Sequence, residues 1–158
     1  MKDEIREDDP NYSTDNAVYF YTPEYYAFDN FSAFAIELWG HVFPTAEHAY
    51  QWKKFNVSNS SVVSEIIAAR SARDTKVIAD VHSTEVSVEW NTVKLTFMEV
   101  ILRAKLDQHQ KVRELLMQTK GKNIFENSPT DAYWGVGPEG DGENHLGKLW
   151  MKLRSELE

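Results

Sequence analysis

The chain has 158 residues, a net charge of −8, 13% aromatic residues and no cysteine. That length supports one domain with a real core, and the missing thiols exclude disulfides, thiolate nucleophiles and cysteine-ligated zinc. The acidic balance argues against tight nonspecific duplex binding, which needs many phosphate contacts from Lys and Arg, but it leaves room for a local basic pocket holding one phosphorylated ligand.

Residues 1–16 hold six acidic and two basic side chains, a composition expected of a mobile acidic tail ahead of a single domain over 17–158. The charged start MKDEIREDDP does not read as a signal peptide. No apolar run is long enough to span a membrane, so no membrane partner is expected and the expected address is cytoplasmic. AVYFYT (17–22) is a short aromatic strand. FAIELWGHVFP (34–44) reads as a hairpin about Gly40; Pro44 ends its second arm and Thr45 caps a helix over 46–56. In that helix Ala46, Ala49, Tyr50 and Lys53 share one face, while His48, Trp52 and Phe55 share another. Short helical pieces follow at 62–70 and within 71–81, and 83–91 is irregular. The longest helix is predicted over 91–108. Its stripe of Val93, Phe97, Val100, Ile101 and Ala104 is widened by Leu95, Met98 and Leu102, which predicts burial on most sides. A helix over 110–119, a short strand within 123–128 and a final helix from near Asn144 complete the chain. The last helix aligns Leu146, Leu149, Trp150, Leu153 and Leu157. There is no internal repeat and no linker. The fold class is α+β: a mainly helical single domain with a small N-terminal β-hairpin.

GVGPEG (135–140) satisfies G-x-G-x-x-G literally, yet Pro138 interrupts it and too little chain follows for a βαβ unit, so the dinucleotide reading is rejected. The stretch WGVGPEGDGENHLG (134–147) reads instead as a flexible loop that brings backbone, around Gly137, close to a ligand. Free N–H groups near Asn144 to Leu146 would then meet a phosphate or a sugar hydroxyl, or the stretch is a long surface loop before a capped helix. The five histidines show no metal-ligand spacing and there is no G-x-S-x-G elbow; neither a metal nor a cofactor is expected. Carboxylates and aromatics remain. Glu47 fits a first-turn acid favoured by the helix dipole. It also fits a pocket wall with Tyr50, Gln51 and Lys54 at the following helical positions. Asp131, in NSPTDAYWG, fits a turn or a sugar-binding carboxylate. Trp90 fits a hydrophobic staple or a stacking platform for a base. Arg70, Arg73 and Lys76 fit a solvated face or a phosphate clamp.

NFSAF, PTAEHAYQWKKF, RSAR, EWNTVKLTFMEVILRAKLDQ and SPTDAYWGVGPEGDGENHLGKLWMKLR occur in the order seen in the NADAR, or YbiA-like, family, which the chain resembles from about Tyr19 to Arg154. The P-T-x-E-H…Q…K-F helix and the D-x-Y-W-G-x-G…G-x-N-x-L-G stretch are the specific segments. Members similar to this chain are N-glycosidases. Some cleave the ribosyl C–N bond of phosphorylated ribosylamino-pyrimidine intermediates of riboflavin synthesis, and others remove ADP-ribose from guanine. The resemblance implies an active site around Glu47, with roles for Trp90 and Asp131, and matches Phe28, Asn30 and Phe31 to the family's early F-x-N-F-like element. RSARD departs from the commoner pattern with an intervening glycine, and Trp52 and Lys53 replace smaller or polar residues.

Under this reading Glu47 and Asp131 are the catalytic pair. Glu47 stabilises an oxocarbenium ion or activates water, and Asp131 binds ribose or protonates the leaving base, or the two exchange these roles. Trp90 and Trp134 flank the base, while Lys54, Arg70 and Arg73 hold phosphate; Asn30, Phe31, Gly137 and Asn144 complete the substrate contacts. The expected partner is a small ribosylated nucleotide or ADP-ribosylated guanine in nucleic acid. The competing class is a module that binds ADP-ribose without cleaving it. Oligomeric state stays open.

Overall fold

The computed structural model describes residues 9–21, 27–55 and 60–158. The chain divides into two compact units, Met1–Asp29 with Lys111–Glu158, and Asn30–Gln110. The architecture is α+β and mainly helical, as expected.

The first unit is built on a three-stranded sheet in the order β1-β2-β5, from Tyr12–Ser13, Ala17–Phe20 and Asn123–Glu126. Local composition marks the second and third of these strands but not their pairing: β5 runs parallel to β2, with Val18 opposite Ile124. Of the expected acidic tail, residues 1–8 lie outside the described residues. Tyr12–Ser13 pairs antiparallel with β2, and the side chain of Asn11 bonds the backbone of Tyr21 in both directions at 2.7 and 3.0 Å. One aromatic ring, Tyr12 on Tyr19, and the Asn11 amide on Tyr21 are enough to add an edge strand where charge alone predicted none. Rings along this sheet stack from Tyr12 to Tyr19 to Phe125, at 4.3 and 5.0 Å between centroids, the cross-strand pairing that stabilises sheets.

Helices α5 (Gln110–Gln118) and α6 (His145–Leu157) belong to this unit. The apolar face expected of α6 is buried through Leu146, Leu149, Trp150 and Leu153, and the helix packs on β5. Trp150 is fully buried, donates its indole N–H to the Phe28 carbonyl at 3.1 Å and packs against the Phe28 ring. Gly147 lies on the sheet-facing side of α6, where a β-carbon would fall inside the carbonyl oxygen of Ile124. Helix and strand therefore approach more closely than any side chain permits.

The second unit holds the hairpin and the longest helix. Strands β3 (Ile36–Leu38) and β4 (His41–Phe43) pair antiparallel. The two residues between them, Trp39 and Gly40, both have positive φ, 51° and 77°, the geometry of a type I′ turn that suits the natural twist of a hairpin. A left-handed tryptophan carries a cost of roughly 1–2 kcal/mol. Packing offsets it: the Trp39 ring stacks on Trp52 at 5.9 Å, meets Phe97 edge-on at 5.8 Å and lies under the Lys53 ammonium at 4.6 Å. The outer edge of β3 is closed by one side chain, because Gln108 accepts from the Glu37 N–H at 2.8 Å and donates to the Glu37 carbonyl at 2.9 Å.

Helices α1 (Ala46–Lys53), α2 (Ser60–Ala68), α3 (Ala72–Val81) and α4 (Trp90–Gln108) complete the unit, with a 3₁₀ turn at Ser83–Glu85. Thr45 and Ser71 cap α1 and α3 by accepting from the third backbone N–H after them. Helix α1 packs against α2, α3 and α4, which explains why seven of its eight residues are buried. Helix α4 differs from expectation. Its buried face is Trp90, Met98, Ile101, Leu102, Lys105 and Leu106, whereas Val100 is 37% exposed and Val93, Phe97 and Ala104 are half-buried. An apolar stripe alone does not set the phase of burial; contact with β3 and α1 does, and it admits a lysine. Lys105 is fully buried, its stem among apolar groups and its ammonium on Ser32 Oγ at 2.9 Å and over the Phe34 ring, so the charge is solvated by a hydroxyl and a π face.

The close approach of α6 to β5 is testable. Gly147→Ala should cost about 3 kcal/mol or more, the scale of a steric clash in a core with no room to relax. Urea unfolding of the purified variant measures it; a loss below about 1 kcal/mol would show that helix and strand can part.

Candidate active site

In the second unit the site grows from the start of α1. Pro44 and Thr45 end β4 and begin the helix, so Glu47 falls in the first turn with its N–H free of any intrahelical acceptor. The Asn30 carbonyl takes that N–H at 3.0 Å. The Glu47 side chain is 7% exposed. One turn on, Gln51 donates its amide to Glu47 Oε1 at 2.6 Å. A buried carboxylate survives only with such partners and a favourable helix dipole.

Aromatic rings stand beside it. Tyr50 meets Trp90 at 5.1 Å, and Trp90 stacks on Phe97 at 6.2 Å and 8°. Trp90 is 6% exposed at the first position of α4. Lys54 sits just past the end of α1, 5.2 Å over the Tyr50 ring. Burial pushes the Lys54 ammonium below its ordinary value. The Glu47 charge and then Asp80 oppose that shift, and the like charges of Lys76 and Lys94 add to it. Lys54 is therefore within electrostatic reach of the carboxylate and of two further cations. Lys94 escaped the sequence reading, although its place one helical turn after Trp90 was a usable signal.

The structure thus gathers Asn30, Glu47, Lys54 and Trp90 of the expected residues, and adds Gln51 as a direct partner of the carboxylate. Phe31 is 40% exposed. Arg70 and Arg73 lie at the junction of α2 and α3, exposed, with no ion pair to any described residue. A groove of about 530 Å³ lined by Ala35, Ile36, Glu37, Val42, Gln108 and His109 includes none of the expected site residues. Among the described residues no group of three or more His, Asp or Glu is arranged to hold a metal, and no helix is long and apolar enough to cross a membrane.

In the first unit the other expected residues lie on one loop. Asp131 Oδ1 accepts from the N–H groups of Tyr133 at 2.9 Å and Trp134 at 2.8 Å, so the carboxylate caps the turn it opens. Its Oδ2 has no donor among the described residues. The glycine-rich stretch is not the loose strap expected. Gly142 donates to Val136, Glu143 to Ala132, Asn144 to Gly135, His145 to Tyr133 and Leu146 to Trp134, all through backbone at 2.7–3.1 Å. The expectation of free N–H groups at Asn144 to Leu146 is overturned: the loop's own carbonyls consume them. Asn144, left-handed at φ 51°, also spends its side chain on β5, donating to the Ile124 carbonyl and accepting from the Glu126 N–H. Gly137 is buried, with φ 67°. Glycines 135 and 142 are required because a β-carbon at either would press on backbone within 2.6 Å.

His48 is structural. Its Nε2 donates to the Ala69 carbonyl at 3.1 Å, which leaves Nδ1 to accept from the Thr45 hydroxyl at 2.8 Å. The ring is neutral and ties the start of α1 to the end of α2.

Comparison with known proteins bears on this arrangement. The model of the NADAR domain matches residues 19–158. The N-glycosidase YbiA of Escherichia coli (strain K12) is 37% identical over 150 residues, covering 90% of this chain and 89% of that protein. Its NMR structure superposes with a TM-score of 0.81 at 35% identity, over 94% of this chain and 88% of the other. An N-glycosidase of Nostoc punctiforme is 34% identical over 89% of this chain and 92% of its own. The chloroplastic riboflavin biosynthesis protein PYRR of Zea mays is 33% identical over 83% of this chain, which spans 23% of the maize protein.

Burial holds the His48 pKa below its ordinary 6.5, outweighing the bond to Ala69 and the charge of Asp74. Between that lowered value and 6.5 the unfolded chain binds more protons than the folded one. Stability therefore starts to fall as pH drops below about 6.5, and the loss is complete once pH passes the folded value. Urea midpoints at pH 7.5 and pH 5 should show this drop, and His48→Gln should lessen it; an equal drop in both proteins would place the pH dependence elsewhere.

Proposed function

The chain belongs to the NADAR family and is an N-glycosidase, and we propose that it hydrolyses the ribosyl C–N bond of a phosphorylated ribosylated base, in the first instance a free ribosylamino-pyrimidine phosphate. The observation that carries this reading is Glu47: a carboxylate 7% exposed, in a first helical turn, fixed by Asn30 and Gln51. Breaking an N-glycosidic bond builds positive charge on the ribose and negative charge on the departing base. A carboxylate at a helix N-terminus opposes the first charge or draws a proton from the attacking water. Glu47 takes that role. Asp131, whose Oδ2 has no donor among the described residues, takes ribose binding or protonation of the leaving base.

Trp90 and Trp134 supply faces for the base. Lys54, beside Glu47, Lys76 and Lys94 in the electrostatics of the site, is the first cation for phosphate, with exposed Arg70 and Arg73 as further contacts. Asn30 and Phe31 belong to the ribose and base contacts, and Gly137 and Asn144 shape the loop that carries Trp134. The net charge of −8 favours a free metabolite over a nucleic acid, and the maize relative's riboflavin name points the same way. Guanine carrying ADP-ribose is the second reading; there the ADP-ribose itself would supply most of the contacts.

The test is incubation with a ribosylamino-pyrimidine phosphate and, separately, with guanine-ADP-ribosylated DNA, reading released base and sugar by mass spectrometry. Release from the first alone is expected. Glu47→Gln should lower turnover by about 10³-fold or more with its melting temperature near that of wild type. Release from the DNA alone moves the assignment to ADP-ribosyl guanine. No release from either, with ADP-ribose still bound, would replace the hydrolase with a binding module.

A further inference from the structure

Gln51 has two faces, and only one of them is used. Its Nε2 donates to Glu47 Oε1 at 2.6 Å. Its Oε1 is buried and has no hydrogen-bond partner among the described residues, on a residue 2% exposed. The amide cannot be turned round to relieve this, since Oε1 would then face the carboxylate oxygen, acceptor against acceptor. A buried carbonyl without a donor is costly and rare in a folded protein, and its presence at a site calls for an explanation. A leucine or methionine would fill the same space without it. The neighbouring Asn30 repeats the pattern: its backbone carbonyl holds the Glu47 N–H, its Nδ2 lies 3.4 Å from Met98 Sδ, and its Oδ1 is likewise buried and unpartnered.

We propose that Gln51 is a substrate-recognition residue whose Oε1 accepts a hydrogen bond from a ribose hydroxyl, making this enzyme selective for ribosyl over 2′-deoxyribosyl substrates. The inference rests on the N-glycosidase reading above. Gln51 Oε1 and the Glu47 carboxylate are acceptors joined through one amide, and they ask for a ligand that brings donors on adjacent atoms. The vicinal 2′,3′-diol of ribose does so; a 2′-deoxyribose loses one of the two. Because Gln51 also orients Glu47, the sugar that satisfies the glutamine is the sugar presented to the carboxylate. A polar site deprived of its expected donor discriminates more strongly than an apolar pocket does, since the buried acceptor is left unpaired.

The experiment has two readouts. Calorimetry measures binding of D-ribose 5-phosphate and 2-deoxy-D-ribose 5-phosphate, and kinetics measures turnover of a ribosylamino-pyrimidine phosphate and its 2′-deoxy counterpart. Wild type should prefer the ribose member by about tenfold or more in each. Gln51→Met should bring that ratio close to one. Gln51→Asn keeps both the donor and the acceptor of the amide and should keep part of the preference, whereas a merely structural role for residue 51 would lower both rates in Gln51→Met and leave their ratio unchanged. A ratio unchanged in Gln51→Met, or no preference in wild type, overturns the ribose contact. Turnover absent from wild type while the binding preference persists and falls in Gln51→Met would instead sink the hydrolase reading and leave the contact standing.

Discussion

The second unit is organised around the burial of one carboxylate. Glu47 is withdrawn from water, so its N–H and its carboxylate each need a partner. Asn30 supplies the first from the segment before the hairpin, and Gln51 supplies the second from the next turn of the same helix. For that arrangement α1 must begin where it does, which Pro44 and the Thr45 cap enforce. It must also be enclosed, which α2, α3 and α4 achieve. His48 extends the same logic by binding the carbonyl at the end of α2 with one nitrogen and the cap residue with the other. The cap, the histidine and the carboxylate are consecutive uses of one helix start.

The first unit solves a different problem. A run rich in glycine has no side chains with which to hold itself, and it is held here by backbone. Five N–H groups between Gly142 and Leu146 return to carbonyls between Ala132 and Val136, so the loop is a small self-bonded knot. Asp131 closes one end and Asn144 fastens the other to β5. The glycines are there because chains pass too close for a β-carbon. Trp134 is consequently carried on a rigid support, the condition under which a ring can present a defined face to a planar ligand.

Most elements were legible in the sequence because local signals specify them: Thr45 before an apolar helix, Gly40 between two strand arms, the leucine spacing of α6. What was illegible depends on distant partners. The parallel pairing of β2 with β5 joins Val18 to Ile124, a contact no local window contains. Lys105 is a lysine on a helix, with no local sign of burial, and it is partners far back in the chain, Ser32 and Phe34 among them, that make its burial tolerable. At the site, Glu47, Trp90 and Asp131 stood out through their motif, and Gln51 was visible as an i+4 neighbour of the carboxylate. Its unpaired oxygen was not, since an absence of partners exists only in three dimensions. The N–H groups before α6 were misjudged for the converse reason: helix starts expose donors by rule, but this loop folds back to take them.

One small contact has a wider consequence. A strand with an unoccupied edge invites another chain to add itself, and most proteins guard such an edge with extra structure or charge. Here the amide of Gln108 imitates a single peptide of a neighbouring strand and answers both polar groups of Glu37. The hairpin thereby remains two-stranded without offering that edge to a second molecule. The guard on that one edge is a single side chain at the far end of α4, so edge protection and long-helix register are inherited together.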